Sequence, residues 1–238
     1  MRPSGFLAKT SALAIKDLRV ELRGRDTLPP MLAFAFTVAL VLAFAVPELP
    51  ATARPTKLTV ALAYVEAGFL WITVLFAGLI GFARTFEVER EEGAIDALLL
   101  APVDRSGLFI AKAAANLVFV ACVEAVVVPS LALFFAIDLG AGWLPLLGVI
   151  VLVDLGFVAA GTLFAAVAAQ TRSRELLLPL LALPTLVPVF IAAIELTADL
   201  FLGAAFDDMA GRGWFAILLA FDVIYGVVAA LTFELALD

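Results

Sequence analysis

Histidine is absent from this 238-residue chain, and cysteine occurs once, as Cys122. Without histidine the chain lacks the commonest general base, metal ligand and axial haem ligand. One cysteine excludes an intrachain disulfide and a CxxC redox or metal motif. No stretch reads G-x-x-x-x-G-K-[S/T], so the sequence contains no Walker A phosphate-binding loop. We therefore expect no enzyme activity, no metal site and no directly bound cofactor, and any ATP hydrolysis would come from a separate subunit.

Charge is also scarce: 16% of the residues are charged and 64% are hydrophobic, and the mean hydropathy is +1.13. Soluble domains carry charge at about a quarter of their positions. The apolar residues form long blocks, and about 20 such residues suffice for a helix to cross a bilayer. No basic stripe with interleaved aromatic residues occurs, which argues against nucleic-acid binding. The sequence thus predicts a polytopic membrane protein embedded in a lipid bilayer.

The apolar blocks predict an all-α fold with six transmembrane helices. They cover residues 28–46, 58–82, 108–137, 143–169, 176–196 and 214–237 approximately. Residues 198–212 are expected to form a loop with a short re-entrant or interfacial helix. We divide the chain into an N-terminal segment, residues 1–27, and a six-helix transmembrane domain, residues 28–238.

Residues 6–25 have the pattern of an amphipathic helix. Apolar and basic side chains recur at helical spacing on different sides. The apolar positions are Leu7, Ala14, Ile15, Leu18 and Leu22, and the basic ones are Lys9, Lys16, Arg19 and Arg23. Such a helix suits the headgroup layer of a membrane. A solvated basic tail is the alternative.

The distribution of lysine and arginine predicts the orientation, because cytoplasmic loops are enriched in both. With a cytoplasmic N-terminus, twelve of the fifteen basic residues lie inside and the other three outside. The inside residues are Arg2, Lys9, Lys16, Arg19, Arg23, Arg25, Arg84, Arg90, Arg105, Lys112, Arg172 and Arg174; the outside ones are Arg54, Lys57 and Arg212. Both termini are therefore expected to be cytoplasmic.

The first cytoplasmic loop, residues 86–102, carries acidic residues followed by aliphatic ones and a proline. As a helix it would turn Ile95 and Leu98 towards the membrane or a partner, with Glu91 and Glu92 exposed. Pro102 cannot extend that helix. A charged amphipathic helix between two spans suits docking to a soluble partner. A solvated loop helix is the simpler alternative.

Two motifs resemble the haem exporter protein B family. The run acidic–Gly–x–aliphatic–acidic–x–Leu–x–Leu–x–Pro is matched by Glu92, Gly93, Ile95, Asp96, Leu98, Leu100 and Pro102, with Lys112 further on. The Leu-Pro-x-x-x-Pro motif of that family is matched by Leu183, Pro184 and Pro188. The length, the six predicted spans and the basic amphipathic N-terminus agree as well.

The resemblance implies an ABC-2-type permease subunit of the bacterial cytochrome c maturation complex, located in the cytoplasmic membrane. It implies a homodimer bound to an ABC ATPase subunit, a haem-handling membrane protein and a periplasmic haem chaperone. The complex would export haem, as possible cargo, or release the haem-loaded chaperone. Residues 86–102 would act as a coupling helix. The residues expected to contact the ATPase are Glu87, Glu91, Glu92, Gly93, Ile95, Asp96, Leu98, Leu100 and Pro102.

Acidic residues also occur within the predicted spans, where charge is costly and often functional. At about 1.5 Å per residue, Glu124 and Asp154 both fall near the bilayer midplane. They could be protonated carboxyl groups hydrogen-bonded across two helices, or they could line a polar translocation or gating cavity. Pro184 and Pro188 should kink the fifth span, either for gating or to shape the bundle.

Two further features bear on cargo and packing. Axial haem ligation would fall to Met31, Met209, Tyr64, Tyr225 or Cys122, none of which lies in a haem motif, so we expect no stable haem binding. Gly156 and Gly161 in the fourth span should permit close helix contact.

Two other functions fit the same sequence. One is an ABC-2 exporter subunit for a lipid, glycan or drug. The other is a non-transporting assembly protein that transmits ATPase motion to membrane partners. A continuous polar path through the dimer would favour transport, whereas a sealed interface of Leu, Val and Phe would favour assembly.

Overall fold

Long apolar runs form helices in a bilayer because a helix satisfies its backbone hydrogen-bonding groups within one segment. The computed structural model describes residues 5–45, 56–86, 105–135, 137, 142–171 and 174–232, and within these ranges it is all-helical. The helices are α1 (Phe6–Gly24), α2 (Leu28–Ala45), α3 (Thr56–Arg84), α4 (Arg105–Phe134), α5 (Trp143–Ala169), α6 (Arg174–Phe201), α7 (Phe206–Gly211) and α8 (Trp214–Thr232).

Five of these helices, α2 to α6, are long and apolar enough to cross a membrane. The protein is therefore a multi-pass membrane protein. The predicted fourth span, residues 143–169, coincides with α5. In α8 the apolar stretch Trp214–Ala229 is shorter, and residues 233–238 lie outside the described residues. The sixth span thus stays a prediction.

The predicted end of the fifth span was wrong. We expected it near residue 196, but α6 continues to Phe201. The extra turn is held against α3 by the indole Nε1–H of Trp71, which donates to Thr197 Oγ1 at 2.9 Å. Ala198 packs beside it against Ala63 and Ala67. These tertiary contacts outweigh the polar composition that suggested a loop.

Aromatic side chains fill the centre of the bundle between α3, α5 and α6. Phe157 lies 4.9 Å from Phe82 and 5.3 Å from Phe190, between ring centroids. Trp71 follows at 6.1 Å from Phe190. All three pairs are edge-on, which is a favourable arrangement of aromatic rings. The four side chains are buried and form the structural core.

Glycines allow these rings to approach the backbone of neighbouring helices. A Cβ atom at Gly161 would overlap the ring of Phe82, and one at Gly78 would overlap the ring of Phe157. Gly156 likewise accommodates Asp222 of α8. The predicted role of Gly156 and Gly161 in close helix contact is confirmed.

Three prolines, Pro179, Pro184 and Pro188, lie inside α6, which nonetheless continues as one helix. Pro184 and Pro188 are exposed on the outer face of α6, while Ala182 and Leu186 face the core. The two prolines in the predicted gating set therefore do not line the interior of the protomer. Whether they kink the helix stays a prediction.

Replacing Gly161 with leucine should destabilise the bundle, because the new side chain would displace the buried ring of Phe82. Overpacking of this kind costs about 1–3 kcal/mol. The matched control is Gly148→Leu in the same helix, where a Cβ atom has nothing within 4 Å. Thermal unfolding of the detergent-solubilised protein, followed by size-exclusion chromatography, should show a lower Tm for the first variant only. Equal Tm values would contradict this packing.

Candidate functional site

Helix α1 packs against α4 through a face that is partly polar. Thr10 and Glu21 are buried on this face, with Leu13, Asp17 and Leu18 half-buried between them at helical spacing. The structure has a helix at the predicted residues, and Ile15 of its predicted apolar stripe is 47% exposed. The helix is rotated so that Asp17 reaches a partner in α4.

That partner is Lys112, which is only 4% exposed. Its Nζ lies 3.1 Å from Asp17 Oδ2 and donates a hydrogen bond of 3.0 Å to the carbonyl oxygen of Thr85. The ammonium group also lies 5.5 Å from the centroid of the Phe86 ring, within range of a cation–π interaction. The buried cation is therefore neutralised and solvated by protein groups.

Hydrogen bonds extend this contact across the bundle. Thr85 Oγ1 donates to Asn116 Oδ1 at 3.1 Å, and Asn116 Nδ2 donates to Thr162 Oγ1 at 2.9 Å. Asn116 and Thr162 are buried. We call Asp17, Lys112, Thr85, Asn116 and Thr162 the polar chain. It connects α1, the end of α3, α4 and α5.

Glu21 fixes the corner between α1 and α2. Its carboxylate accepts hydrogen bonds from the backbone N–H groups of Thr27, at 2.9 Å, and Leu28, at 2.7 Å. A carboxylate at a helix N-terminus satisfies unpaired donors and complements the helix dipole. Arg25, with φ 59°, turns the chain sharply at the end of α1. The direction in which the chain enters α2 is thereby set.

The polar chain includes residues that lie just before and just after the predicted coupling segment. Thr85 and Phe86 directly precede residues 87–104, and Lys112 follows two turns into α4. The residues predicted to contact the ATPase lie outside the described residues, so their role stays a prediction. They are Glu87, Glu91, Glu92, Gly93, Ile95, Asp96, Leu98, Leu100 and Pro102.

The pairing of Lys112 with Asp17 was missed by the sequence analysis, which noted Lys112 only beside a motif. A signal was present, because a lysine within an apolar span requires an acidic or carbonyl partner. Spacing could not show whether Asp17, Glu21 or another acid supplies it.

Glu124 of α4 and Asp154 of α5 form a second buried site. They are 4% and 3% exposed, and their carboxyl groups are neighbours in the buried core. No donor group of the described residues reaches either Glu124 oxygen or Oδ1 of Asp154. A proton held between the two carboxyl groups would supply a donor. The structure brings this predicted pair together, and the pairing fits both roles considered for it.

Polar contacts also join the N-terminal half of α3 to the C-terminal end of α6. Tyr64 OH donates to Glu195 Oε2 at 3.1 Å, near the hydrogen bond of Trp71 to Thr197. Arg212 donates to Asp199 Oδ1 at 2.7 Å, and the Asp199 side chain is buried. These contacts fasten α3 and the α7–α8 connection to the end of α6.

Replacing Asp17 with asparagine should lower stability by about 3–5 kcal/mol, because it removes a carboxylate that pairs with a buried cation. The double variant D17N/K112M should lose less, since the buried cation is removed together with the carboxylate. Lys16→Met is the control: Lys16 contacts the other Asp17 oxygen at 3.1 Å, but its side chain is 45% exposed, and exposed pairs contribute little. Denaturation in mixed micelles measures all three. A double variant less stable than D17N would contradict the pairing.

The variant E124Q/D154N should fold normally, because the amides supply donors and acceptors without charge. Folded yield and Tm in detergent measure this outcome, with E124L/D154N as a comparison that removes one polar partner. If the protein needed ionised carboxylates, the amide variant would fail to fold. Normal folding with lost activity would assign the pair to gating, whereas normal folding and activity would assign it to packing.

The family of the chain is shown by comparison with known proteins. The model of the family described as "CcmB protein" matches residues 8–238. Heme exporter protein B of Rhodobacter capsulatus is 32% identical over 190 residues, 78% of this chain and 80% of that protein. Heme exporter protein B of Paracoccus denitrificans is 30% identical over 185 residues, 77% and 80% of the two chains. The predicted resemblance is confirmed, and the chain belongs to the CcmB family.

Proposed function

We propose that this chain is the membrane permease subunit of an ABC-type complex that acts in haem export for cytochrome c maturation. The observation that carries the proposal is the family match over residues 8–238. Both relatives named above are heme exporter proteins B. The apolar helices α2 to α6 supply the membrane-embedded body that a permease subunit requires.

The proposed arrangement has six spans in a bacterial cytoplasmic membrane, with both termini cytoplasmic. Helix α8 supplies the sixth span, since its described part is apolar. The excess of basic residues on the N-terminal side supports the orientation. The polar chain then lies near the cytoplasmic surface, where α1 packs against α4 beside the end of α3. An ABC-2-type permease fold is part of the same proposal.

ATP hydrolysis is assigned to a separate ATPase subunit, because the sequence has no phosphate-binding loop. Residues 86–102 would form the helix that docks onto this subunit. Thr85 directly precedes this segment and Lys112 lies in α4, the helix that follows it. The hydrogen bond from Lys112 to the Thr85 carbonyl oxygen therefore connects the two sides of the segment. Because both ends of the segment are joined to packed helices, a movement of the ATPase would be passed on to α3 and α4.

Haem is proposed as cargo and not as a resident cofactor. Of the side chains that could ligate iron, Met31 and Met209 are fully buried in the core, and Met31 lies against Gly81. Tyr64 is engaged with Glu195. These contacts leave the three side chains occupied in packing and hydrogen bonding.

The filled core also bears on how the complex would work. The column Trp71, Phe190, Phe157 and Phe82 occupies the space between α3, α5 and α6. A haem path would therefore run between two protomers of a homodimer. In a second candidate function, the chain transmits ATPase motion to a haem-handling membrane protein and releases the haem-loaded periplasmic chaperone; a dimer interface sealed by Leu, Val and Phe would favour this role.

The test begins with complementation: the chain should restore holocytochrome c in a bacterium that lacks its own heme exporter protein B. The variant I95D/L98D should then fail, because burial of each apolar side chain at the docking surface contributes about 1.5–3 kcal/mol. The control I95L/L98I keeps the surface apolar. Co-purification with the ATPase and the haem-stain intensity of cytochrome c measure the two steps.

Membrane insertion should be equal in both variants. If the chain fails to complement, the haem-export function is wrong. If I95D/L98D complements fully and retains the ATPase, the function stands but the coupling segment is wrong.

A further inference from the structure

The outward face of α1 carries basic and apolar side chains next to one another. We call it the basic face; its residues are Ala12, Ile15, Lys16, Arg19, Val20 and Arg23, which line one shallow groove. All six are exposed, Ile15 by 47% and Val20 by 40%. Basic side chains next to exposed aliphatic ones are typical of a helix that lies in the membrane interface.

Both acidic residues of α1 are turned away from this face. Asp17 pairs with Lys112, and Glu21 accepts hydrogen bonds from the N–H groups of Thr27 and Leu28. The basic face therefore contains no carboxylate of α1. Lys16 also lies 3.1 Å from Asp17 Oδ1, so Arg19 and Arg23 are its main cations. Asp26, also exposed, lies beyond the end of the helix at the corner with α2.

The position of the face follows from its connection to α2. Only Arg25, Asp26 and Thr27 separate α1 from Leu28, the first residue of an apolar span. The four Cα–Cα steps from Gly24 to Leu28 span at most about 14 Å, so the C-terminal half of α1 lies beside the point where the chain enters the membrane. The Asp17–Lys112 pair prevents α1 from rolling, which keeps the basic face directed away from the bundle.

We propose that the basic face binds anionic phospholipid headgroups. The guanidinium groups of Arg19 and Arg23 suit phosphate oxygens, with which arginine forms paired hydrogen bonds. Ile15 and Val20 would lie at the boundary between headgroups and acyl chains. Such a site would hold lipids of one class against α1, and it exists whether or not the chain serves haem export.

The test uses the full chain in lipid nanodiscs made of phosphatidylcholine and phosphatidylglycerol. A fluorescent nitrobenzoxadiazole label is attached to Ala12→Cys in a Cys122→Ala background. Quenching by nitroxide-labelled phosphatidylglycerol, compared with nitroxide-labelled phosphatidylcholine, gives the relative affinity of the face for the two lipids. We expect several-fold preference for the anionic lipid, reduced by 0.5 M salt because exposed charges are screened.

The charge variant K16Q/R19Q/R23Q should remove the several-fold preference, because a cation near an anionic lipid surface contributes at most about fivefold to binding. These side chains are exposed, so its Tm should equal that of the parent. A label at Leu144→Cys, which is exposed in α5, is the control and should show no preference above that of the bulk bilayer.

Equal quenching by both lipids at position 12, or a preference kept by the charge variant, would overturn the proposal. So would a label that neither lipid quenches but that the ATPase subunit shields, because the face would then dock a protein. The salt titration tests the unmodified face even if the charge variant folds poorly.

Discussion

The Asp17–Lys112 ion pair is the contact on which the arrangement of the N-terminal half depends. A lysine within an apolar helix carries a large desolvation cost, which is offset only when a counter-ion and hydrogen bonds surround it. Asp17, the Thr85 carbonyl oxygen and the Phe86 ring provide these groups. Once Asp17 is directed inwards, the rotation of α1 is fixed. Glu21, one turn further on, is then placed at the start of α2, and the cations of α1 are left on the outside.

The two buried polar sites differ in how their hydrogen-bonding groups are satisfied. In the polar chain, donors and acceptors alternate from Lys112 through Thr85 and Asn116 to Thr162. Such a complete network favours one arrangement of its helices. Glu124 and Asp154 instead face each other with acceptor groups. A hydrogen bond between these two carboxyl groups would require a proton on one of them, whereas the polar chain has its donors and acceptors paired.

The long helices were predictable because a helix that crosses a bilayer needs about 20 mostly apolar residues in a row. Residues 143–169 are apolar except for a few positions such as Asp154, and α5 occupies the same residues. The end of α6 was not predictable, because it depends on the contact of Thr197 with Trp71, which is distant in the chain. In the candidate site, equal depth in the bilayer made a contact between Glu124 and Asp154 one of the two arrangements considered. Nothing local distinguished Asp17 from Glu21 as the partner of Lys112, since that choice is made by the docking angle of α1.

Helix α6 has a part that is weakened by prolines and a C-terminal end that is held by side-chain hydrogen bonds. Each internal proline lacks the N–H that would bond to the carbonyl four residues earlier, so Pro179, Pro184 and Pro188 remove three rungs from one part of the helix. Beyond Phe190 the ladder is free of proline, and Glu195, Thr197 and Asp199 tie that end to α3 and to Arg212. Any bending of α6 would therefore occur mainly in the part that contains the prolines, whereas the end beyond Phe190 is held by its contacts. A movement of the N-terminal end of α6, at Arg174, would then bend the proline-containing part, while the C-terminal end of the helix stays in position.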